Sequence, residues 1–190
     1  MYYENKFGPR KKSCISDVFH ALYFLGVQRT SREALARELG VNTGSVRSIV
    51  QFLKKEKLVK TSKGGMTLAP KGKKMAEAIR QKILGAGKIK GAITSRKAGY
   101  CLQLKKKIDT RKIIQLRDAG IMKGAGGITI LIAKRNKFHA PYLNGKEYAN
   151  ELVKLAKIFD PAGTVIIAFG GENPRRAAWH LAAMISKLAF

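Results

Sequence analysis

Ser31-Arg-Glu-Ala-Leu-Ala-Arg-Glu-Leu-Gly40-Val-Asn-Thr-Gly-Ser-Val-Arg-Ser-Ile-Val50-Gln-Phe-Leu-Lys-Lys-Glu-Lys57 is the stretch that decides the fold. Its first part, 31–39, is a short amphipathic helix with Ser31 placed to cap it and Leu35, Ala36 and Leu39 on one face. Gly40 supplies the left-handed position that ends a helix at little cost, and Gly40-Val41-Asn42 is a tight turn. From Thr43 to Lys57 the periodicity predicts a second, longer helix. Val46, Ile49, Val50 and Leu53 fall at i, i+3, i+4 and i+7 and point inward. Asn42 or Thr43 can accept from the free amides of its first turn. Two helices joined by a turn containing Gly form a helix-turn-helix, whose second helix is shaped to enter a major groove.

Working outward, 58–61 and 66–68 have strand character around Ser62-Lys63-Gly64-Gly65, a small hairpin with a lysine at its tip. An earlier helix, about 16–25, offers Val18, Phe19, Leu22, Tyr23 and Leu25 as the third wall of a core. Helix, turn, helix and hairpin make a winged helix. Its outward residues Thr43, Ser45, Arg47, Ser48, Gln51, Lys54 and Lys55 can donate to phosphates or read base edges, and none is acidic. Lys60 and Lys63 extend that set along the hairpin. A helix over 71–84 follows, with Met75, Ala76, Ile79 and Ile83 on one side.

The run from Leu35 to Val59, together with Leu68-Ala-Pro-Lys-Gly72, resembles winged-helix regulators of the MarR and iron-dependent repressor type over roughly residues 13–84. The resemblance implies a DNA-binding transcription regulator that acts as a homodimer on duplex DNA. The acidic and His metal ligands of the iron-dependent group are not evident, so no metal-sensing role is carried over. In layout the whole chain is similar to small archaeal proteins that couple such a domain to a C-terminal α/β domain of unassigned role.

Size and charge fit a nucleic-acid partner. The 190 residues suit one large or two small domains, and 38 basic against 12 acidic residues give a net charge of +26. Charge is not confined to the winged helix: residues up to Gly91 carry +14 and the remainder +12. The rivals that this leaves open are an RNA-binding or ribosome-associated protein and a nonspecific architectural DNA-binding protein. Cys14 and Cys101 are too few for a disulfide framework or zinc site, and His20, His139 and His180 share no metal-ligand spacing. No membrane span or cleavable signal is read, so the cytoplasm is the expected location. No catalytic residue, metal site or cofactor is expected, and the chain is read as not an enzyme.

The expected organisation is a winged-helix domain over 1–84, a Gly-rich linker over 85–91, and an α/β domain over 92–190 for dimerisation or effector sensing. The fold class is α+β. The N-terminal arm, with Tyr2, Tyr3, Phe7, Arg10, Lys11 and Lys12, could follow a phosphate backbone or pack its rings on a helix. In the second half, strands are predicted over 100–104, 128–133 and 164–169, and helices over 109–119, 147–159 and 174–188.

Three segments there invite a ligand reading and a plain one. Gly124-Ala-Gly-Gly127 precedes a strand, which suits a turn rather than a nucleotide loop. Around Gly170, Gly171, Asn173, Arg175 and Arg176 a strand passes into a helix. Asn173 as cap and Pro174 at the first helical position explain most of it, while the two arginines at the positive end of a helix dipole would suit a small anionic effector. Lys134-Arg-Asn-Lys137, followed by Phe138 and Tyr142, suits single-stranded nucleic acid or a hairpin corner with a core Phe.

Overall fold

The computed structural model describes residues 15–143 and 148–188. The N-terminal arm, Cys14 and the start expected for the helix at 147 therefore lie outside the described residues. The chain divides after Arg80 into two compact units. It is α+β: a helical N-terminal unit with a small hairpin, then a five-stranded antiparallel sheet with helices.

In the first unit, α1 (Ile15–Leu25), α2 (Arg32–Leu39) and α3 (Thr43–Lys55) precede a hairpin of β1 (Val59–Ser62) and β2 (Gly65–Leu68), and α4 (Pro70–Lys82) follows. Val18, Phe19, Leu22, Leu35, Leu39, Val46, Ile49, Val50 and Leu53 are buried together as the periodicity requires. Each such side chain contributes about 1.5–3 kcal/mol on leaving water, and these helices are too short to hold by propensity alone. Register Ser62↔Gly65 makes the wing turn the two residues Lys63-Gly64, tighter than the four-residue turn expected. A bridge between Thr30 and Met66, with amides donating both ways at 3.2 and 2.8 Å, adds a third short strand to the wing. The second helix ends at Lys55 instead of Lys57, because Lys57 sits at φ 56 and turns the chain into the wing.

The linker expected over 85–91 is not one. β3 (Ile83–Ile89) begins directly after α4 and pairs antiparallel with β4 (Gly99–Leu104), from Ile83↔Leu104 to Ile89↔Gly99. Glycine weakens a strand on average, but here Gly85 lets the Phe159 ring lie against the backbone, since a β-carbon there would be 2.7 Å from it. The second unit thus starts within the end of α4 rather than at residue 92.

Beyond β4 come α5 (Ile113–Met122), β5 (Gly127–Lys134), β6 (Lys137–His139), α6 (Ala149–Ile158), β7 (Thr164–Phe169) and α7 (Pro174–Ser186). The sheet order is β3-β4-β7-β5-β6, antiparallel throughout. Central β7 is buried from Thr164 to Ala168, which is why it reads as a continuous apolar run. Strand alternation sends Cys101, Leu131, Ala133, Val165 and Ile167 to one face, where Leu155 and Phe159 of the α6 segment close a core. On the other face α5 and α7 pack closely enough that a β-carbon on Gly120 would meet Ile128 and Leu181.

Candidate nucleic-acid interface

Local chemistry places α3. Asn42, in extended conformation, accepts from the Ser45 amide at 2.8 Å and starts the helix. Ser31 does the same for α2 through the Ala34 amide at 3.1 Å, and Gly40 at φ 65 ends it. These caps and the turn between them present one side of α3 to the core and leave the other to solvent.

Thr43, Arg47, Gln51, Lys54 and Lys55 are exposed along that outer side, as are Lys60 and Lys63 on the wing. None of these cations takes part in the described ion pairs. Ser48 is half-buried, its hydroxyl turned to the Gly44 carbonyl at 3.4 Å. Ser45 is a correction to the expected set. It is only 8% exposed, because one residue before Val46 it already faces the core side, and its amide is committed to Asn42.

Arg29 was not singled out in the sequence. Its guanidinium donates to the Ser62 hydroxyl and lies against Gly64, which puts a second cation beside Lys63 at the wing turn. Arg29 precedes a helix and has no periodic partner, so only the folded wing brings it there. Lys71 crosses back to the end of α3, donating to the Glu56 carbonyl at 3.2 Å. His20 belongs to the core: it is 3% exposed, with its Nε2 3.0 Å from a Glu38 carboxylate oxygen.

In the second unit the structure brings Gly170, Gly171, Asn173, Arg175 and Arg176 together at the start of α7. Asn173 caps the helix, accepting from the Arg176 amide at 2.9 Å. The Arg175 guanidinium lies 5.1 Å from the centre of the Tyr100 ring, a cation–π contact that occupies it. Gly170 and Gly171, at φ 60 and 73, abut the other glycine-rich segment. Asn173 donates to the Gly124 carbonyl and the Gly126 amide to the Phe169 carbonyl, each at 3.0 Å. A β-carbon on Gly126 would be 2.9 Å from the Gly171 nitrogen. Both glycine clusters are thus explained by one close approach of two backbones.

The Lys134–Lys137 patch is the tip of the β5–β6 hairpin. Phe138 is 4% exposed, so of the two readings of this segment the structure has the hairpin corner with a core Phe, whereas Tyr142 is exposed. Among the described residues no group of His, Cys, Asp and Glu could hold a metal, and no helix is long and apolar enough to cross a membrane.

Residues 20–83 match the family model described as the CggR N-terminal DNA binding domain. That match supports a DNA-binding regulator with DNA as its partner, on the same residues that carry the exposed face of α3. Residues 96–188 match a second model, described as a domain of unknown function (DUF4443). Among curated proteins none matches. Among solved structures, the chain is similar to "Hypothetical protein PH0730 from Pyrococcus horikoshii OT3", with 26% identity, 93% of this chain and 94% of that one covered, and a TM-score of 0.76. The two-part architecture therefore recurs in an archaeal protein along nearly its whole length.

Proposed function

We propose that this chain is a sequence-specific, duplex-DNA-binding transcription regulator. The observation that carries the proposal is the outer side of α3, where Thr43, Arg47, Gln51, Lys54 and Lys55 stand exposed with no acid among them. In this reading α3 lies in the major groove, with Arg47 bidentate to a guanine and Thr43, Ser48 and Gln51 on neighbouring bases. Lys54, Lys55 and Lys60 hold phosphates, and Lys63 and Arg29 at the wing turn reach the adjacent backbone. The second domain joins two chains into a homodimer, so that two half-sites act together, and the chain works at the nucleoid in the cytoplasm. An effector remains part of the proposal only as a ligand of that second domain. At the start of α7 the Arg175 guanidinium is engaged with Tyr100 and the Asn173 side chain with the Arg176 amide.

The experiment is selection of bound sequences from a random duplex pool, with wild type and Arg47→Ala side by side. A two-fold symmetric consensus is expected, and Arg47→Ala should cost about 1–3 kcal/mol at one base position of each half-site. If wild type enriches nothing, the regulator reading fails. If Arg47→Ala leaves affinity and consensus unchanged, α3 is not the reading helix.

A further inference from the structure

We infer that the second domain carries its own duplex-DNA-binding surface, at the end of the sheet where β4 and β5 finish. This rests on the reading that the chain binds duplex DNA, but not on how α3 reads sequence.

Three segments far apart in sequence converge there. Lys105, Lys106 and Lys107 follow the last residue of β4, and the Lys105 amide donates to the Lys82 carbonyl at 2.9 Å. Leu104 and Ile132 both pair with Thr164, the first residue of β7, so the ends of β4 and β5 flank its start. The β5–β6 hairpin then adds Lys134, Arg135 and Lys137. All six of these side chains, and that of Lys82, are exposed, and none is in a described ion pair. Against them stands Asp160, exposed at the approach to β7; Asp109 nearby is already paired with Arg111 at 2.8 Å. Four strand spacings of about 4.8 Å spread this charge over roughly 19 Å, about half a helical turn of duplex. A row of exposed cations that long, of which Lys82 also donates to the Lys187 carbonyl at 3.4 Å, suits the phosphates of a double helix and carries no base-reading geometry.

The hairpin tip argues that the charge is placed and not incidental. Arg135 and Asn136 form a two-residue turn at φ 51 and 55. Such a turn favours Asn-Gly or Gly-Gly, and an arginine in the left-handed region is strained. The strain is of the kind that function can retain, although at Lys57 the course of the chain alone retains it, and an anion is what the Arg135 guanidinium would meet.

The test uses the full chain and a long duplex, with affinity measured over a range of salt concentrations. Arg135→Gly relieves the strain, so its thermal midpoint should rise while the slope of log affinity against log salt falls by about 0.9, one phosphate contact. Lys105→Gln, Lys106→Gln and Lys107→Gln together should lower the slope by about 2.7, three phosphate contacts at about 0.9 each, equally on selected and on random duplex. The expected base preference is unchanged in both variants. Slopes equal to wild type in both would overturn the inference, and would leave the regulator reading standing if Arg47→Ala still altered the consensus. Loss of binding to structured RNA with duplex slopes unchanged would overturn it too, in favour of an RNA partner. A wild-type chain that binds no duplex at any salt would remove both proposals.

Discussion

Gly72 in α4 lies directly against the backbone of Leu58, so that a β-carbon on it would overlap the Leu58 carbonyl oxygen and come within 2.9 Å of the carbonyl carbon. The same carbonyl accepts from the Ala69 amide at 2.9 Å. Leu68-Ala-Pro-Lys-Gly72 is thus a joint: Ala69 bonds to the residue that opens the wing, Pro70 begins α4, and Gly72 lets α4 pass over that bond. Wing and α4 are locked to the end of α3 through one peptide group.

Gly72→Ala should therefore destabilise the first unit by on the order of 1–3 kcal/mol, although alanine is the better helix former. The denaturant midpoint of the full chain reports it. A midpoint at or above wild type would mean that α4 is free to shift, and that the joint is not rigid.

Asn42 separates stability from recognition. Asn42→Ala removes the cap of α3 and should cost about 1 kcal/mol. Asn42→Asp keeps the cap and adds a charge that the helix dipole favours, so stability should be held. If the start of α3 faces the groove as proposed, the same carboxylate should weaken duplex binding. Equal affinity for the Asp variant and wild type would place that end of the helix away from DNA.

Lys63→Gln tests the wing. It should lower the salt slope by about one unit on every duplex and leave base preference as it was. Arg29→Ala should act in the same direction, because its guanidinium shares the turn and steadies Ser62. Filter or fluorescence titrations at several salt concentrations measure both. A changed consensus with an unchanged slope would show the wing reading bases instead of holding phosphates.

Cys101 gives a pH-dependent signature of the second core. Burial pushes its thiol up from about 9 to about 11, against a smaller pull downward from backbone hydrogen bonds at Cys101 and Gly87. The folded state therefore holds the proton more tightly than the unfolded chain. The stability this gives is fully present below the unfolded value near 9 and is lost as pH rises through about 11. In a Cys14→Ser background, a thiol reagent at about pH 8 should label Cys101 only with unfolding. Labelling in seconds under native conditions would show that this face of the sheet opens.

The two helices of the motif, their caps and their inner faces were legible because each rests on residues a few positions apart. Val46, Ile49, Val50 and Leu53 recur at helical spacing, and Ser31, Gly40 and Asn42 act on amides or carbonyls within their own turn. The buried β7 and the helix behind Pro174 were legible for the same reason. Ser45 was misplaced because a residue at the rim of a helical face is assigned by the actual packing, which periodicity resolves only coarsely.

What the chain's own order of residues determined, then, is local: where helices start and stop, which side of α3 is apolar, and how strongly basic both halves are. Tertiary structure alone decided what non-local pairing decides. Gly85 and Gly87 became strand and not linker because β4 supplied hydrogen bonds, and at Gly85 because Phe159 needed room. Arg29 joined Lys63 because Thr30 paired with Met66. Lys105 and Arg135, thirty residues apart, share one end of the sheet because β7 runs between their strands. Such meetings depend on which strand lies beside which, and no window of consecutive residues contains that information.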